Sequence, residues 1–184
     1  MRALIPILLL ASAALAAACS SSPPTRQFAS TATTGNLVGA LTNVRSVALH
    51  PAARLVHPYQ GRSVENLRAA TDRSIARRFQ DRGYQIVSPE RGQRLIGYAI
   101  GVSGEMHDED LLKLFGISAG VDLGGSQDRG GIVLVIVNPH TRTVLWRASL
   151  SAPIDRDDLD ERERNRRIDA ALERLLEGLP TMLP

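Results

Sequence analysis

A serine flanked by glycines is the pattern in this chain most similar to a catalytic motif. Gly116, Ser118 and Gly120 give the spacing G-x-S-x-G, and Asp128 and His140 follow in the chain order that α/β-hydrolases use. Such a serine needs a strand before it and a helix after it. The five residues before the motif contain no β-branched side chain, and the five after it favour a helix poorly. We therefore predict a glycine-rich loop and no enzymatic activity, with a serine hydrolase using Ser118 as the alternative.

The sequence contains no residue spacing that is typical of a metal site. The four histidines lack zinc-site spacing, and the acidic run 105–110 lacks the spacing of an EF-hand. A single cysteine excludes an internal disulfide and a multi-thiolate metal site. The net charge of +3 is too small to predict that the protein binds nucleic acid. We expect no metal, no cofactor and no nucleic-acid partner.

The only cysteine, Cys19, stands at the end of an export signal. Met1 and Arg2 are followed by the short apolar run 3–15 and by three alanines, the pattern of a secretory signal peptide. With the cysteine, the run resembles a bacterial lipobox. The resemblance implies that 1–18 is removed and that Cys19 is lipidated. Ser20 next to it favours, by analogy with enterobacterial sorting, the outer membrane facing the periplasm. An ordinary secreted protein is the alternative.

The segment after the signal has the composition of a linker. Residues 20–35 are rich in Ser, Thr, Ala and Pro and show no hydrophobic period, so they bury too little apolar surface to offset their ordering entropy. We predict a lipidated cysteine and flexible tether over 19–36 and one folded domain over 37–184.

The folded part shows helix and strand patterns that predict an α+β fold. One helix begins at Ser63 and ends at Gly83, and a second carries its apolar stripe from Ile168 to Leu179. Strands are predicted at 44–50, where Pro51 ends the strand, at 84–87 and 95–103, and at 132–137 and 143–152, which form a hairpin. We expect a two-layer sandwich, a mostly antiparallel sheet of about five strands with two helices on one face.

Three stretches of the sequence are similar to one bacterial lipoprotein family. They are the helix that ends at Gly83 and Tyr84, the hairpin that carries Asn138 and the pair Trp146-Arg147, and the closing helix. In this order they resemble the family known as domain of unknown function 4136. The family has no agreed activity, so the resemblance implies the fold and the anchor and names no reaction.

Two surfaces are candidates for binding a partner in the cell envelope. The first is the apolar, glycine-rich loop 111–125, which is either a packed part of the core or a partner-binding flap. The second is the basic face of the first helix, which is either a solvated surface or a site for anionic lipid or polymer. The loop candidates are Leu111, Leu112, Leu114, Phe115, Gly116, Ile117 and Gly120, and the basic candidates are Arg68, Arg73 and Arg77. We expect attachment to the membrane through Cys19 and an envelope protein as partner.

Overall fold

The computed structural model describes residues 30–57, 63–102, 109, 112–113, 129–153 and 160–182. The strands are β1 (Ser30–Gly35), β2 (Ser46–Val56), β3 (Gln85–Ile86), β4 (Arg94–Val102), β5 (Arg129–Val137) and β6 (Val144–Pro153). The helices are α1 (Leu37–Ala40), α2 (Val64–Asp81) and α3 (Glu161–Leu175), with a short 3-10 turn at Pro89–Arg91.

The strands form one mixed sheet of six strands in the order β1-β6-β5-β4-β2-β3. β2 runs parallel to both of its neighbours, and the other pairs are antiparallel. The helices contribute to the apolar core on one face of the sheet. The predicted α+β class is confirmed, with six strands instead of about five.

The central strand β5 is buried on both faces, as its run of aliphatic residues predicts. Ile132, Leu134 and Ile136 pack towards the helices, where they join Phe79 and Leu172 in the larger core cluster. The alternate residues of β5 form a second cluster on the opposite face, with Val133, Val135 and Val137. Each of these side chains contributes roughly 1.5–3 kcal/mol when it leaves water completely.

Residues 30–35, which were predicted to belong to the tether, form strand β1. This strand pairs antiparallel with β6, from Ser30 opposite Ser151 to Gly35 opposite Trp146. Gly35 has a φ of +88°, and a Cβ atom there would lie 2.5 Å from the carbonyl oxygen of Leu145. Polar Ser and Thr side chains tolerate a sheet edge, so the composition that indicates a linker also fits this strand.

Pro51 does not end strand β2, which continues to Val56. The pairing of β2 with β4 shifts register between Leu49 and Arg54. At this bulge, Nδ1 of His50 accepts hydrogen bonds from the backbone N–H groups of Ala52 at 3.2 Å and Ala53 at 3.0 Å. Proline is tolerated at bulges because the ladder is already interrupted there. The prediction that the strand stops at Pro51 is therefore wrong.

The first predicted helix and the hairpin are confirmed. The Ser63 side chain caps α2 by accepting from the backbone N–H of Asn66 at 3.3 Å. After the helix, Gly83 adopts a φ of +91°, a conformation that favours glycine. The hairpin turn between β5 and β6 is held by Asn138, whose Oδ1 accepts from the backbone N–H of His140 at 2.9 Å.

The two ends of the sheet differ in the segments they carry. At one end the chain enters the sheet at Ser30 and leaves it after Val56, Val102 and Pro153. We call this the tether end, because residues 20–29 lead directly to it. At the other end, here the hairpin end, lie the turn at Asn138 and the C-termini of α2 and α3.

Candidate functional site

The lipidation and sorting residues Cys19 and Ser20 lie outside the described residues. What the structure shows is the strand they lead to, because β1 begins at Ser30 at the tether end. Ten residues, 20–29, separate Cys19 from this strand. Ten residues span at most about 33–36 Å when fully extended and roughly 16–19 Å as a flexible coil. A lipid on Cys19 would therefore hold the tether end close to a membrane surface.

The apolar loop is also attached at the tether end. β4 ends at Val102 and β5 begins at Arg129, so the chain leaves the sheet and returns to it at this end. Leu112 is 56% exposed, and Lys113 is exposed as well. The other loop candidates lie outside the described residues, as does Ser118; they are Leu111, Leu114, Phe115, Gly116, Ile117 and Gly120.

The three arginines of the predicted basic face have different surroundings. Arg73 is exposed to solvent. Arg77 donates from Nη2 to Oδ2 of Asp169 on α3 at 2.7 Å. Nη1 of Arg68 lies 4.0 Å from Oε1 of Glu65, and the Arg68 side chain is partly covered. The structure therefore does not bring these arginines together as one uncompensated patch.

An interhelix cluster around Asp169 was not predicted from the sequence. The Ser74 hydroxyl donates to Oδ1 of Asp169, and Nη2 of Arg78 donates to the backbone oxygen of the same residue at 2.6 Å. Burial raises the pKa of Asp169, but the hydrogen bonds from Ser74 and Arg77 and the two guanidinium charges outweigh it, so the pKa lies below its ordinary value. This cluster joins α2 to α3 and is structural.

A second unpredicted cluster joins β2, β4 and α2 around Asp72. The hydroxyl of the fully buried Tyr98 donates to Oδ1 of Asp72 at 2.7 Å, and Nη1 of Arg54 donates to Oδ2 at 2.8 Å. Burial and the hydrogen bond to Asp72 raise the pKa of Tyr98 far above its ordinary value. Tyr98 is therefore a fixed neutral donor and is unsuited to acid–base catalysis near neutral pH.

A shallow groove lies at the hairpin end, where α1 meets the C-terminal segment. It has a volume of about 420 Å³ and is lined by Leu41, Val44, Tyr84 and Met182 among others. Val38 on its rim is 53% exposed. Arg45 contributes the charge in this lining. The described residues that line the groove include no carboxylate and no histidine that could act as a general base.

The serine-hydrolase alternative finds no support in the described residues. Arg129, which follows Asp128 in the chain, begins β5 at the tether end. His140 lies in the turn after the same strand, at the hairpin end. The nine residues of β5 span roughly 27 Å, which separates Arg129 from the hairpin turn that carries His140. Ser118 and Asp128 lie outside the described residues, so of these three residues the structure places only His140.

The described part of the chain contains neither a cluster of metal ligands nor a membrane-spanning helix. Over those residues, no group of three or more His, Cys, Asp or Glu side chains is placed to hold a metal ion. None of the helices described there is long and apolar enough to cross a bilayer.

Comparison with solved structures shows which fold this is. The chain is similar to a PelC variant dodecamer from Paraburkholderia phytofirmans, with 13% identity, a TM-score of 0.51, and coverage of 84% of this chain and 98% of that one. A second PelC dodecamer from the same organism has 12% identity, a TM-score of 0.50, and coverage of 84% and 99%. The chain shares the PelC fold.

The structural neighbours also include a DUF4136 family protein from Bacteroides thetaiotaomicron, the family that the sequence resembles. It has 13% identity, a TM-score of 0.48, and coverage of 83% of this chain and 98% of that one. No family model matches the sequence. No curated protein matches it. The neighbours named here indicate no enzyme family.

Proposed function

We propose that this chain is a non-catalytic, lipid-anchored module of the bacterial cell envelope, which acts by associating with envelope proteins, its own copies included. The observation that carries the proposal is topological. The strand that follows the cysteine-bearing segment is part of the sheet and begins at the same end as the connection that contains the apolar loop. An anchor at Cys19 would thus set the distance of the whole domain from the membrane.

The chemistry of the described residues supports a binding role over a catalytic one. Their two polar clusters, around Asp72 and Asp169, tie elements of the fold together, and the described groove lacks a reactive set. Several acyl chains of the kind the lipobox resemblance implies would anchor the protein firmly, since each buried CH₂ contributes about 0.8 kcal/mol.

The association part of the proposal draws on the shared fold. Both PelC structures that share this fold are dodecamers, so a domain of this architecture can serve as an assembly unit. We place the protein at the outer membrane, facing the periplasm, with Ser20 as the sorting residue. We include a further envelope protein among the expected partners. The apolar loop 111–125 and the exposed Arg73 are the surfaces proposed for that contact.

The anchor is tested by metabolic labelling with an alkyne analogue of palmitate in the native host. We expect the label on the wild-type protein and on a Ser22→Ala control, and none on Cys19→Ser. Incorporation of the label and the fraction of the protein found in outer-membrane vesicles are both measured in the same cells. An unlabelled wild-type protein, or a labelled Cys19→Ser variant, would overturn the lipid anchor.

The partner is tested by crosslinking intact envelopes and identifying proteins that copurify with the full anchored chain. Replacing Ser118 with Ala is expected to leave the recovered set unchanged. An empty set in repeated experiments, including no crosslink between copies, would contradict the association role. Loss of a cellular phenotype in the folded Ser118→Ala variant would favour the hydrolase instead.

A further inference from the structure

The outer edge of strand β1 is a pairing surface that the described part of the chain leaves open. β1 stands at one end of the strand order and pairs with β6 along its whole length. In an edge strand, the backbone N–H and C=O groups of every second residue point away from the sheet. These groups form a regular row that fits another extended strand.

Strand β1 itself carries no charged residue, proline or bulge, three of the features that prevent pairing between proteins. Its sequence is STATTG, and charges and prolines are two of the devices that protect sheet edges. Its pairing with β6 is continuous over the six residues, without a bulge. Thr33 and Thr34 are exposed, and threonine favours extended backbone.

The opposite edge of the sheet cannot supply the complementary strand. That edge is β3, which comprises only Gln85 and Ile86, followed by the part of β2 that β3 does not cover, which carries Pro51, Arg54 and a register shift. A contact between β1 of one copy and β3 of the next would thus join a row of six residues to a row of two. The edge that matches β1 in length and in absence of charge is β1 itself.

We propose that β1 pairs antiparallel with β1 of a second copy of this chain, giving one continuous sheet across a two-fold axis. This inference rests on the proposed function, because it names the surface by which copies associate. The axis runs perpendicular to the sheet, so both helix layers lie on the same side. Thr33 lies opposite Ala148, a helix-side core residue. The second copy's Thr33 therefore points to that same side.

Symmetry and side-chain orientation together restrict the register. Residues opposite each other in a sheet point to the same side. One residue of β1 must therefore lie opposite its own copy, so the axis lies between the two strands at the level of that residue. The registers with most overlap are centred on Ala32 or on Thr33. In both of them Thr33 of one copy lies opposite, or diagonal to, the second copy's Thr33, within reach of long side chains.

The tether allows this arrangement on one membrane. Antiparallel pairing about Thr33 separates the two Ser30 residues by about six residues of strand, or roughly 20 Å. Each tether of ten residues, 20–29, spans up to about 33–36 Å. Both lipids can thus enter the same leaflet when the strands lie along the membrane surface.

The test uses the full lipidated chain in detergent and measures its mass by light scattering over a dilution series. We expect the wild-type chain to form dimers or larger even-numbered assemblies. Thr33→Lys should weaken association at least about tenfold, because like charges then face each other across the axis. Thr33→Glu should do the same. Mixing the two variants in equal amounts should restore association, because the opposite charges pair.

Gln85→Lys is the matched control, since it adds the same charge to an exposed position on the opposite edge and should leave the assembly unchanged. Thermal unfolding verifies that each variant is folded. If wild-type chains associate but the two Thr33 variants associate equally well, or if mixing them restores nothing, the β1 contact is wrong although self-association stands. If the chain is a monomer at every concentration but still recovers an envelope partner, this inference fails and the proposed function survives.

Discussion

At the scale of single residues, His50 holds the bulge that lets β2 continue past Pro51. Its Nδ1 accepts two backbone hydrogen bonds, which it can do only while that nitrogen carries no proton. Burial, with the charge of Arg54, lowers the pKa of His50 below its ordinary value of 6.5. The folded protein thus binds this proton less readily than the unfolded chain does.

We expect His50 to make the protein less stable as the pH falls. Its contribution is fully present above the unfolded pKa of about 6.5 and is lost as the pH falls through the lower folded pKa, with a slope of at most about 1.4 kcal/mol per pH unit. His50→Asn keeps an acceptor near the position of Nδ1 and should flatten the change in melting temperature between pH 7 and pH 5. His140→Asn, in the exposed hairpin turn, is the control. An unchanged pH profile in His50→Asn would contradict this role.

The Tyr98 hydroxyl gives a second prediction at the residue scale. Tyr98→Phe keeps the buried ring but leaves Asp72 with one hydrogen-bond donor fewer. We expect a loss of about 1–2 kcal/mol in the free energy of unfolding, measured by urea denaturation. Tyr84→Phe is the matched control, because the Tyr84 hydroxyl makes no hydrogen bond with a described residue; it should cost clearly less. Equal losses in the two variants would refute the assignment.

At the scale of elements, α2 and α3 are joined by a polar clamp as well as by their apolar stripes. Ser74 and Arg77 on α2 both donate to the carboxylate of Asp169 on α3. Ser74 is buried, so its hydroxyl requires an internal partner. The clamp fixes how the two helices lie against each other over the sheet.

Asp169→Ala should therefore cost more than the loss of an ordinary surface ion pair. We expect about 1–2 kcal/mol, because charge-assisted bonds are lost and the Ser74 hydroxyl loses its partner, with the value reduced by partial exposure. Glu173→Ala is the control, since that carboxylate is 3.8 Å from Arg78 and mostly exposed; it should cost under about 0.5 kcal/mol.

The pH dependence of Asp169→Ala follows from the lowered pKa of Asp169. The wild-type advantage should be complete above the ordinary pKa of 3.8 and disappear as the pH falls through the lower folded value. Melting curves of both proteins over that range measure it. An advantage that persists in strong acid would show that packing, not charge, carries the effect.

The elements that could be predicted from the sequence are those with local signals. Helix α2 has its cap at Ser63 and its stop at Gly83 in the sequence itself, and the β5–β6 hairpin has its turn residues. β1 could not be recognised, because its partner β6 pairs Ser30 with Ser151, far along the chain. The Asp169 cluster was missed for the same reason: its donors lie on a different helix. The full length of β2 depends on a contact made by His50 that no periodicity reveals.

At the scale of the whole molecule, the described sheet includes β1 from Ser30, which precedes the predicted start of the domain at 37. This changes the geometry of the proposed anchor, because six residues that would have lengthened the tether are held in the sheet. With the proposed lipid on Cys19, the domain would stand closer to the membrane than a sixteen-residue linker would place it. β1 is also the described element nearest in sequence to Cys19.

Truncation measures where the domain begins. A chain that starts at residue 30 should unfold at the same temperature as the mature protein, whereas one that starts at residue 36 should lose about 2–4 kcal/mol, because β6 then loses the backbone bonds of its partner strand. The second chain should also aggregate more readily, since the exposed edge becomes the longer strand β6, which carries Trp146 and Leu150. Identical melting temperatures for the chains that start at residues 30 and 36 would show that residues 30–35 do not contribute to the stability of the fold. A loss confined to the shorter chain would establish β1 as part of the fold. With the proposed lipid on Cys19, the ten residues 20–29 would then set the greatest distance between membrane and domain.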